Sequence, residues 1–355
     1  MTTGNPQKGI KITLEDLANI HVGEGIPAPI TQPEPGSRSY GTITEASGQA
    51  PAAERERGNL LLQGWFYLGV AGLVGAMLGW AICEPGFVDS ERGFHWGNLL
   101  LMPVLVALMT LGFGISESLV ERSMKKALIR SALALPLGAL LGSVFYFMAN
   151  IVFNIGLGIC VELGVQSSRS PAFWVARALA WTVFGVAGGL VYGIVGKSYK
   201  KGKFGILGGI LGAGIGGVLF DPISMWTGGP SAALSRAVGF AIFGLATGAM
   251  MGIVESALKD RWFYVASGPL AGKQFILYKP QTSIGSDQQS DIYLFKDPSI
   301  LPTHAALEAN GARMTLRAVG QVFVSGSPVS SRVLLDGDLV QIGRYTFRYK
   351  EKSRS

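Results

Sequence analysis

The sequence predicts a membrane all-α bundle of six transmembrane helices followed by a small all-β domain of the sandwich type. Residues 59–258 are strongly apolar, and short basic turns divide them into runs. Residues 262–351 change to short alternating strands, which are typical of a β-sandwich. Charged residues make up only 15% of the chain and glycine accounts for 50 of its 355 residues, whereas about 25% of a typical soluble protein is charged.

Six apolar runs are long enough to cross a bilayer, since a spanning helix needs about 20 mostly apolar residues. Lipid offers the backbone no hydrogen bonds, so each run must be helical. We expect the third run to extend to Leu163 along the outer interface. The predicted spans are Leu61–Ile82, Leu99–Ser116, Ile129–Val152, Phe173–Val195, Phe204–Phe220 and Ala237–Val254.

Basic residues gather in alternate turns, which fixes the expected orientation. The turns at residues 122–130, 197–203 and 259–261 are rich in lysine and arginine, whereas residues 83–98, 164–172 and 221–235 contain no lysine. The positive-inside rule then places both termini in the cytoplasm. Residues 1–58 are polar, with Pro, Gly, Ser and Thr throughout, and are predicted to be a mobile cytoplasmic tail.

Glycines recur at helical spacing in every pair of spans. The string Gly75–Gly79 is repeated at Gly138–Gly142 and Gly212–Gly216, which predicts three parallel hairpin repeats around an axis along the membrane normal. Residues four apart share one helix face, so rows of glycine would let backbones pack closely, as in a glycine zipper. A glycine-lined pore is the alternative. The expected packing glycines are Gly75, Gly79, Gly138, Gly142, Gly185, Gly189, Gly193, Gly212, Gly216, Gly244, Gly248 and Gly252.

Several charged residues lie at the ends of the spans. Arg177 and Arg236 occupy equivalent positions near the outer surface, and we expect them to pair with Asp221 or Glu84, because an arginine near lipid needs a carboxylate or a path to water. A substrate or ion site is the alternative. At the opposite ends of the spans, Glu117 and Glu255 are expected to pair with the basic turns.

The C-terminal residues resemble a forkhead-associated (FHA) domain. The resemblance covers about 90 residues and keeps the order of the family's motifs, and the whole chain resembles bacterial multi-pass membrane proteins with a C-terminal FHA domain. It therefore implies a location in the bacterial inner membrane. The motifs that carry it are Gly268–Phe275, Ile284–Ser286, Asp291–Leu294, Pro302–Ala305, Val324–Gly326 and Leu335–Gly343.

FHA domains typically bind phosphothreonine peptides through their loops, but two arginines of the family's motifs are absent here. Ser286 stands for the first and Pro302 for the second, although a histidine that braces a loop is retained. Phosphate favours arginine forks, so the resemblance implies a recognition surface with a degenerate phosphothreonine site. Its positions are Ser286, Leu301, Pro302, Thr303, His304, Ser325 and Gly326.

These features predict a membrane-anchored scaffold, adaptor or signalling protein. It would bind a cytoplasmic or membrane protein, independently of phosphorylation, and could form a homo-oligomer; binding of a phosphothreonine peptide and a folded module without a ligand are alternatives. A further alternative is a transporter or channel formed by the bundle, with a regulatory FHA domain. The distribution of basic residues argues against nucleic acid, and no catalytic constellation, cofactor motif or metal-ligand spacing is visible.

Overall fold

The computed structural model describes residues 60–88, 95–165, 167, 170–226, 232–311 and 313–352. The tail predicted for residues 1–58 lies outside these ranges. Within them, six helices are long and apolar enough to cross a membrane. These helices are α1 (Gly64–Cys83), α2 (Trp96–Val120), α3 (Met124–Glu162), α4 (Pro171–Val195), α5 (Tyr199–Trp226) and α6 (Ala233–Leu258).

Each helix covers most of one predicted span. Helix α3 has 39 residues and is therefore about 58 Å long, well beyond the apolar core of a bilayer. It combines the third span with the predicted extension in one uninterrupted helix. Its N-terminus is capped by Ser123, whose hydroxyl accepts the amide hydrogen of Lys126 at 3.3 Å.

The helices pack in a ring that follows chain order. Each contacts its neighbours in sequence, α6 packs against α1, and α2 also reaches α4 across the ring. Large apolar side chains fill the interior, among them Phe113, Phe184, Phe243 and Met251, all at most 5% exposed. The described bundle thus has a packed centre. The threefold relation between its hairpins stays a prediction.

The predicted packing glycines face neighbouring helices. A methyl group added at Gly75 would lie 2.6 Å from the Cα of Met109, and one at Gly216 would lie 2.7 Å from the Cα of Phe243. At all twelve predicted positions such a group would come within 3.0 Å of a backbone atom of another helix. The helices therefore approach one another where the side chain is absent.

The C-terminal residues form two packed sheets. The first has the strand order β2-β1-β11-β10-β7-β8 and the second β4-β3-β5-β6-β9. Their inner faces meet in one apolar core that includes Phe263, Ile284, Leu316 and Phe347. The strands are β1 (Arg261–Ser267), β2 (Gln274–Ile276), β3 (Gln281–Gly285), β4 (Ile292–Tyr293), β5 (Ala305–Asn310), β6 (Arg313–Ala318), β7 (Val322–Val324), β8 (Ser327–Pro328), β9 (Ser331–Leu334), β10 (Leu339–Ile342) and β11 (Tyr345–Glu351).

The glycine contacts predict that two glycine-to-alanine substitutions differ strongly in their effect on stability. Gly75→Ala should destabilise the protein by about 1–3 kcal/mol, because the added methyl group overlaps the backbone of α2. Gly158→Ala is the control, since no atom lies within 4 Å of the methyl group there. Thermal unfolding of both variants in detergent measures the difference. Equal stability would show that close helix packing at Gly75 is unimportant.

Candidate functional site

The FHA-like recognition positions lie on loops that are hydrogen-bonded to one another. Ser286, at the start of the β3–β4 loop, donates its hydroxyl hydrogen to the carbonyl oxygen of Ile300 at 2.8 Å. The buried His304 accepts the amide hydrogen of Leu301 at Nδ1, at 3.1 Å. Its Nε2 therefore carries the proton and donates to the carbonyl oxygen of Gln321 at 3.0 Å. His304 thus braces two loops.

The outer surface of these loops is uncharged at the positions that the FHA motif singles out. Leu301, Pro302 and Thr303 are exposed. Ser325 and Gly326 are also exposed and have φ angles of 50° and 83°, so both are in the left-handed region. This surface offers two hydroxyl groups and apolar atoms, but no guanidinium group from these five residues.

A second cluster joins the β-sandwich to the bundle at the turn between α2 and α3, residues 121–123. Glu121 accepts hydrogen bonds from the ammonium groups of two lysines, Lys126 of α3 at 3.1 Å and Lys273 of the sandwich at 3.0 Å. All three side chains are at most 9% exposed. Because buried charges need close partners, this triad ties the two domains together.

The β3–β4 loop, which begins at Ser286, also contacts the start of α3. Ser123 donates its hydroxyl hydrogen to the carbonyl oxygen of Gln288 at 3.0 Å, and the amide of Lys125 donates to the side-chain oxygen of Gln288 at 3.1 Å. The ammonium group of Lys126 lies 3.2 Å from the carbonyl oxygen of Asp291. One loop therefore carries a recognition position and caps a membrane helix.

Glu117 and Glu255 have different partners at this end of the bundle. Glu117 pairs with Arg130 at 2.8 Å and with Lys201 at 2.7 Å. Glu255 instead accepts hydrogen bonds from the hydroxyl groups of Tyr192, at 3.1 Å, and of Tyr278 in the sandwich. Burial, together with the carboxylate of Glu255, raises the pKa of Tyr278 well above its usual value, so this phenol remains a hydrogen-bond donor.

A cavity of about 330 Å³ lies between the bundle and the sandwich. Charged and phenolic side chains from both domains line it, including Tyr67, Glu117, Lys201, Glu255 and Tyr278. The cavity lies at the end of the bundle and beside the ion pairs, so the junction is polar and partly open.

The sequence-based expectation for Glu255 holds only in part. Lys201 of a basic turn acts on its carboxylate electrostatically, but the described hydrogen bonds come from two tyrosines.

Sequence reasoning also missed Glu121 and Lys273. One local signal was available in the sequence, a serine followed three residues later by a lysine at Ser123 and at Ser198. In the structure each serine accepts the amide hydrogen of its lysine at 3.3 Å. The first lysine reaches Glu121 in the α2–α3 turn, and the second reaches Glu117 of α2.

At the other end of the bundle the structure brings together both expected charge pairs. Arg177 Nε lies 3.0 Å from a carboxylate oxygen of Asp221, and Arg236 Nη2 lies 2.5 Å from one of Glu84. The guanidinium group of each arginine also lies over an aromatic ring. For Arg236 this is the ring of Phe87, whose centroid lies 4.2 Å from the guanidinium carbon. Both arginines are thus neutralised within the bundle.

The triad predicts that one lysine controls docking of the sandwich. Lys273→Ala should weaken docking by about 3–5 kcal/mol, because it leaves the buried Glu121 with one partner fewer. Hydrogen exchange at residues 121–126 in the full chain should accelerate. The control is Lys200→Ala, whose ion pair with Asp260 is more than half exposed and contributes little. Equal rates of hydrogen exchange at residues 121–126 in the two variants would contradict the role of Lys273 in docking.

The hydrogen bonds of Asp291 predict that the stability of the folded protein decreases on acidification. Burial alone would raise the pKa of Asp291, but hydrogen bonds from Lys279 and from the amide and hydroxyl groups of Ser283 lower it below its usual value. Because the folded pKa is depressed, the stabilisation is present above about pH 4 and is lost as the pH falls through the folded value. Asp291→Asn should therefore unfold more easily at neutral pH and lose less stability on acidification. An unchanged pH profile of the melting temperature would refute the assignment.

Comparison with known proteins agrees with the motifs and the sandwich. Residues 264–353 match the family described as the inner membrane component of T3SS, cytoplasmic domain. The glycogen accumulation regulator GarA of Mycolicibacterium smegmatis is 36% identical over 101 residues, which are 28% of this chain and 63% of GarA. This chain thus spans less than two thirds of that relative's length.

Two solved structures are similar to the sandwich. An FHA domain from Chlamydia trachomatis is 24% identical, with a TM-score of 0.25 and coverage of 27% of this chain and 100% of that domain. The cytoplasmic domain of the T3SS sorting platform protein PscD from P. aeruginosa is 24% identical, with a TM-score of 0.24 and coverage of 27% and 83%.

The assignment rests on the ordered motifs, the family match and the identity with GarA. All three fall on the same C-terminal residues, downstream of the six apolar helices. This chain accordingly combines six helices that are long and apolar enough to cross a membrane with a C-terminal FHA-type β-sandwich, which is similar to the cytoplasmic domain of the T3SS inner membrane component and to GarA.

Proposed function

We propose that this chain is a membrane-anchored scaffold or adaptor whose FHA-type loops bind a protein partner without requiring phosphothreonine. The observation that carries the proposal is that none of the exposed recognition positions carries a charged side chain, on a domain that is docked to a membrane bundle. Interaction through loops on a rigid sandwich is a common use of such a scaffold.

The recognition positions support phospho-independent binding. A phosphate carries nearly two negative charges and is held best by arginine forks. Ser286 and Pro302 occupy the two arginine positions of the motif, and the Ser286 hydroxyl is already engaged by Ile300. Leu301, Pro302 and Thr303 project apolar and hydroxyl groups that suit an ordinary peptide surface.

The tether supports a role close to the bilayer. Helix α6 ends at Leu258 and β1 begins at Arg261, so two residues separate the bundle from the sandwich. A short tether raises the effective concentration of the module for a membrane partner. The matched family is an inner-membrane component, which supports a location in the bacterial inner membrane. The distribution of lysines and arginines supports cytoplasmic termini.

The bundle supports anchoring more than transport. Its described centre is filled by Phe113, Phe184 and Phe243. The backbones of neighbouring helices fill the space beside its packing glycines. A transport path needs polar side chains around a water-filled vestibule near the middle of the membrane. The cavity described above lies instead at the junction with the sandwich.

Site-specific photo-crosslinking tests this function. A photoreactive amino acid at Thr303 in the full chain should capture a discrete partner in the native membrane, and phosphatase treatment should not reduce the yield. The same probe at Arg313, the first residue of β6, is the control. A yield that phosphatase abolishes, or low-micromolar binding of phosphothreonine peptides, would overturn the phospho-independent proposal.

A further inference from the structure

We propose that the α2–α3 turn and the FHA-type loops form one composite basic surface for an acidic stretch of the partner protein. The surface consists of Arg122 and Lys125 from the membrane domain and of Lys296 and Arg344 from the sandwich. This inference rests on the proposed function and specifies the chemistry of its partner. It means that the membrane domain supplies cations which the FHA motif positions lack.

Arg122 joins the two domains at this surface. Its guanidinium group lies over the ring of Phe295, 5.6 Å from the ring centroid, an arrangement that favours a cation. Phe295 is the second residue of the loop between β4 and β5, the loop that ends with the recognition positions 301–304. The side chain of Arg122 is exposed, so the contact orients it beside the sandwich without burying its charge.

The sandwich contributes cations next to the same ring. Lys296 follows Phe295 directly and is exposed, with a φ angle of 62°. Arg344 is also exposed and donates a hydrogen bond to the carbonyl oxygen of Lys296 at 2.7 Å. Asp297 accepts the amide hydrogens of Arg344 and Ser299, so it holds the loop in place.

Among the described residues, these four cations differ from the cations of the junction in forming no ion pair. In the described part of the chain, Lys126, Arg130, Lys201 and Lys273 are each paired with a glutamate. Arg122, Lys125, Lys296 and Arg344 form no ion pair with any described carboxylate. The carboxylate of Asp297 acts electrostatically on Arg344, so the four cations leave the surface with a net positive charge for an external partner.

Hydrogen bonds connect this surface to the recognition positions. The amide of Ile300 donates to the carbonyl oxygen of Asp297 at 3.3 Å, and Ser286 donates to Ile300. On the bundle side, Lys125 meets Gln288 of the same β3–β4 loop that contains Ser286. A segment bound at the loops would have the basic surface beside it, so carboxylates flanking the bound segment would be attracted.

The geometry favours a protein ligand over lipid. Two of the four cations belong to the sandwich. Lys296 lies in the loop that carries Leu301 to His304, and Arg344, in the β10–β11 turn, donates a hydrogen bond to that loop. A lipid headgroup would need only the cations of the membrane turns, which the positive-inside rule already explains. The composite surface also contains two cations of the sandwich. A protein segment bound at the sandwich loops would contact these cations as well as those of the membrane domain.

The test uses the full chain in phosphatidylcholine nanodiscs and a fluorescein-labelled oligoglutamate peptide as the probe. Binding measured by fluorescence anisotropy at low salt should weaken about tenfold in the double variant Arg122→Glu with Lys296→Glu, because two attractive charges become repulsive. Arg122→Gly is a second variant that tolerates the left-handed φ of 56° and should weaken binding by less.

The control is Lys197→Glu with Lys203→Glu. Lys197 is the counterpart of Arg122 in the α4–α5 turn, with a φ of 52°, and is exposed. The control should change binding less than about twofold. Equal loss in both double variants would overturn the proposal. So would a loss confined to phosphatidylglycerol vesicles, because that result would assign the cations to lipid.

Failure here can be separated from failure of the proposed function. If oligoglutamate binding ignores Arg122 and Lys296 while Thr303 still crosslinks its partner, the composite surface is wrong and the interaction module stands. If Thr303 captures no partner while the basic surface binds the peptide selectively, the FHA-type loops are not the main contact.

Discussion

The buried triad of Glu121, Lys126 and Lys273 is the interaction on which the arrangement of this molecule depends. Three charged groups are removed from water at the boundary between two domains. Desolvation of each charge is costly, and only close partners with good geometry offset it. The sandwich therefore has a strongly preferred position on the bundle, because sliding or tilting would leave a buried charge without its partner.

Other features of the junction follow from that fixed position. The β3–β4 loop reaches the start of α3, where Gln288 takes hydrogen bonds from Ser123 and Lys125. Tyr278 reaches Glu255 of α6. The loop that caps a membrane helix is also the loop that begins at a recognition position. Binding at the loops and the state of the bundle are thus physically connected, through short contacts and not through a flexible linker.

Much of the architecture could be predicted because its causes are local. Apolar length defines the six spans, and the motif order and spacing from Gly268 to Gly343 identify the sandwich type. The pairing of Arg177 with Asp221 could be anticipated since an arginine near lipid has few alternatives. Arg177 and Arg236 hold equivalent positions in their spans, and this limited their expected partners to Asp221 and Glu84.

The junction could not be predicted, because its causes are non-local. Glu121 and Lys273 are 152 positions apart, and neither lies in a motif or at a distinctive spacing. Glu255 was expected to meet a basic turn, but the fold also brings two tyrosines to it as hydrogen-bond donors. Gln288 acts as a helix cap from another domain, a role that no pattern around it reveals. Such contacts appear only once the sandwich has been placed on the bundle.

The most direct test of this account is the distance distribution between the bundle and the sandwich in a lipid bilayer. Spin labels at exposed positions 197 and 331, in a chain whose two native cysteines are replaced, can be measured by pulsed electron resonance in nanodiscs. A docked sandwich predicts one narrow distribution that broadens when Lys273 is replaced by alanine. A broad distribution in the otherwise unaltered chain would show that the domain is not held by the triad.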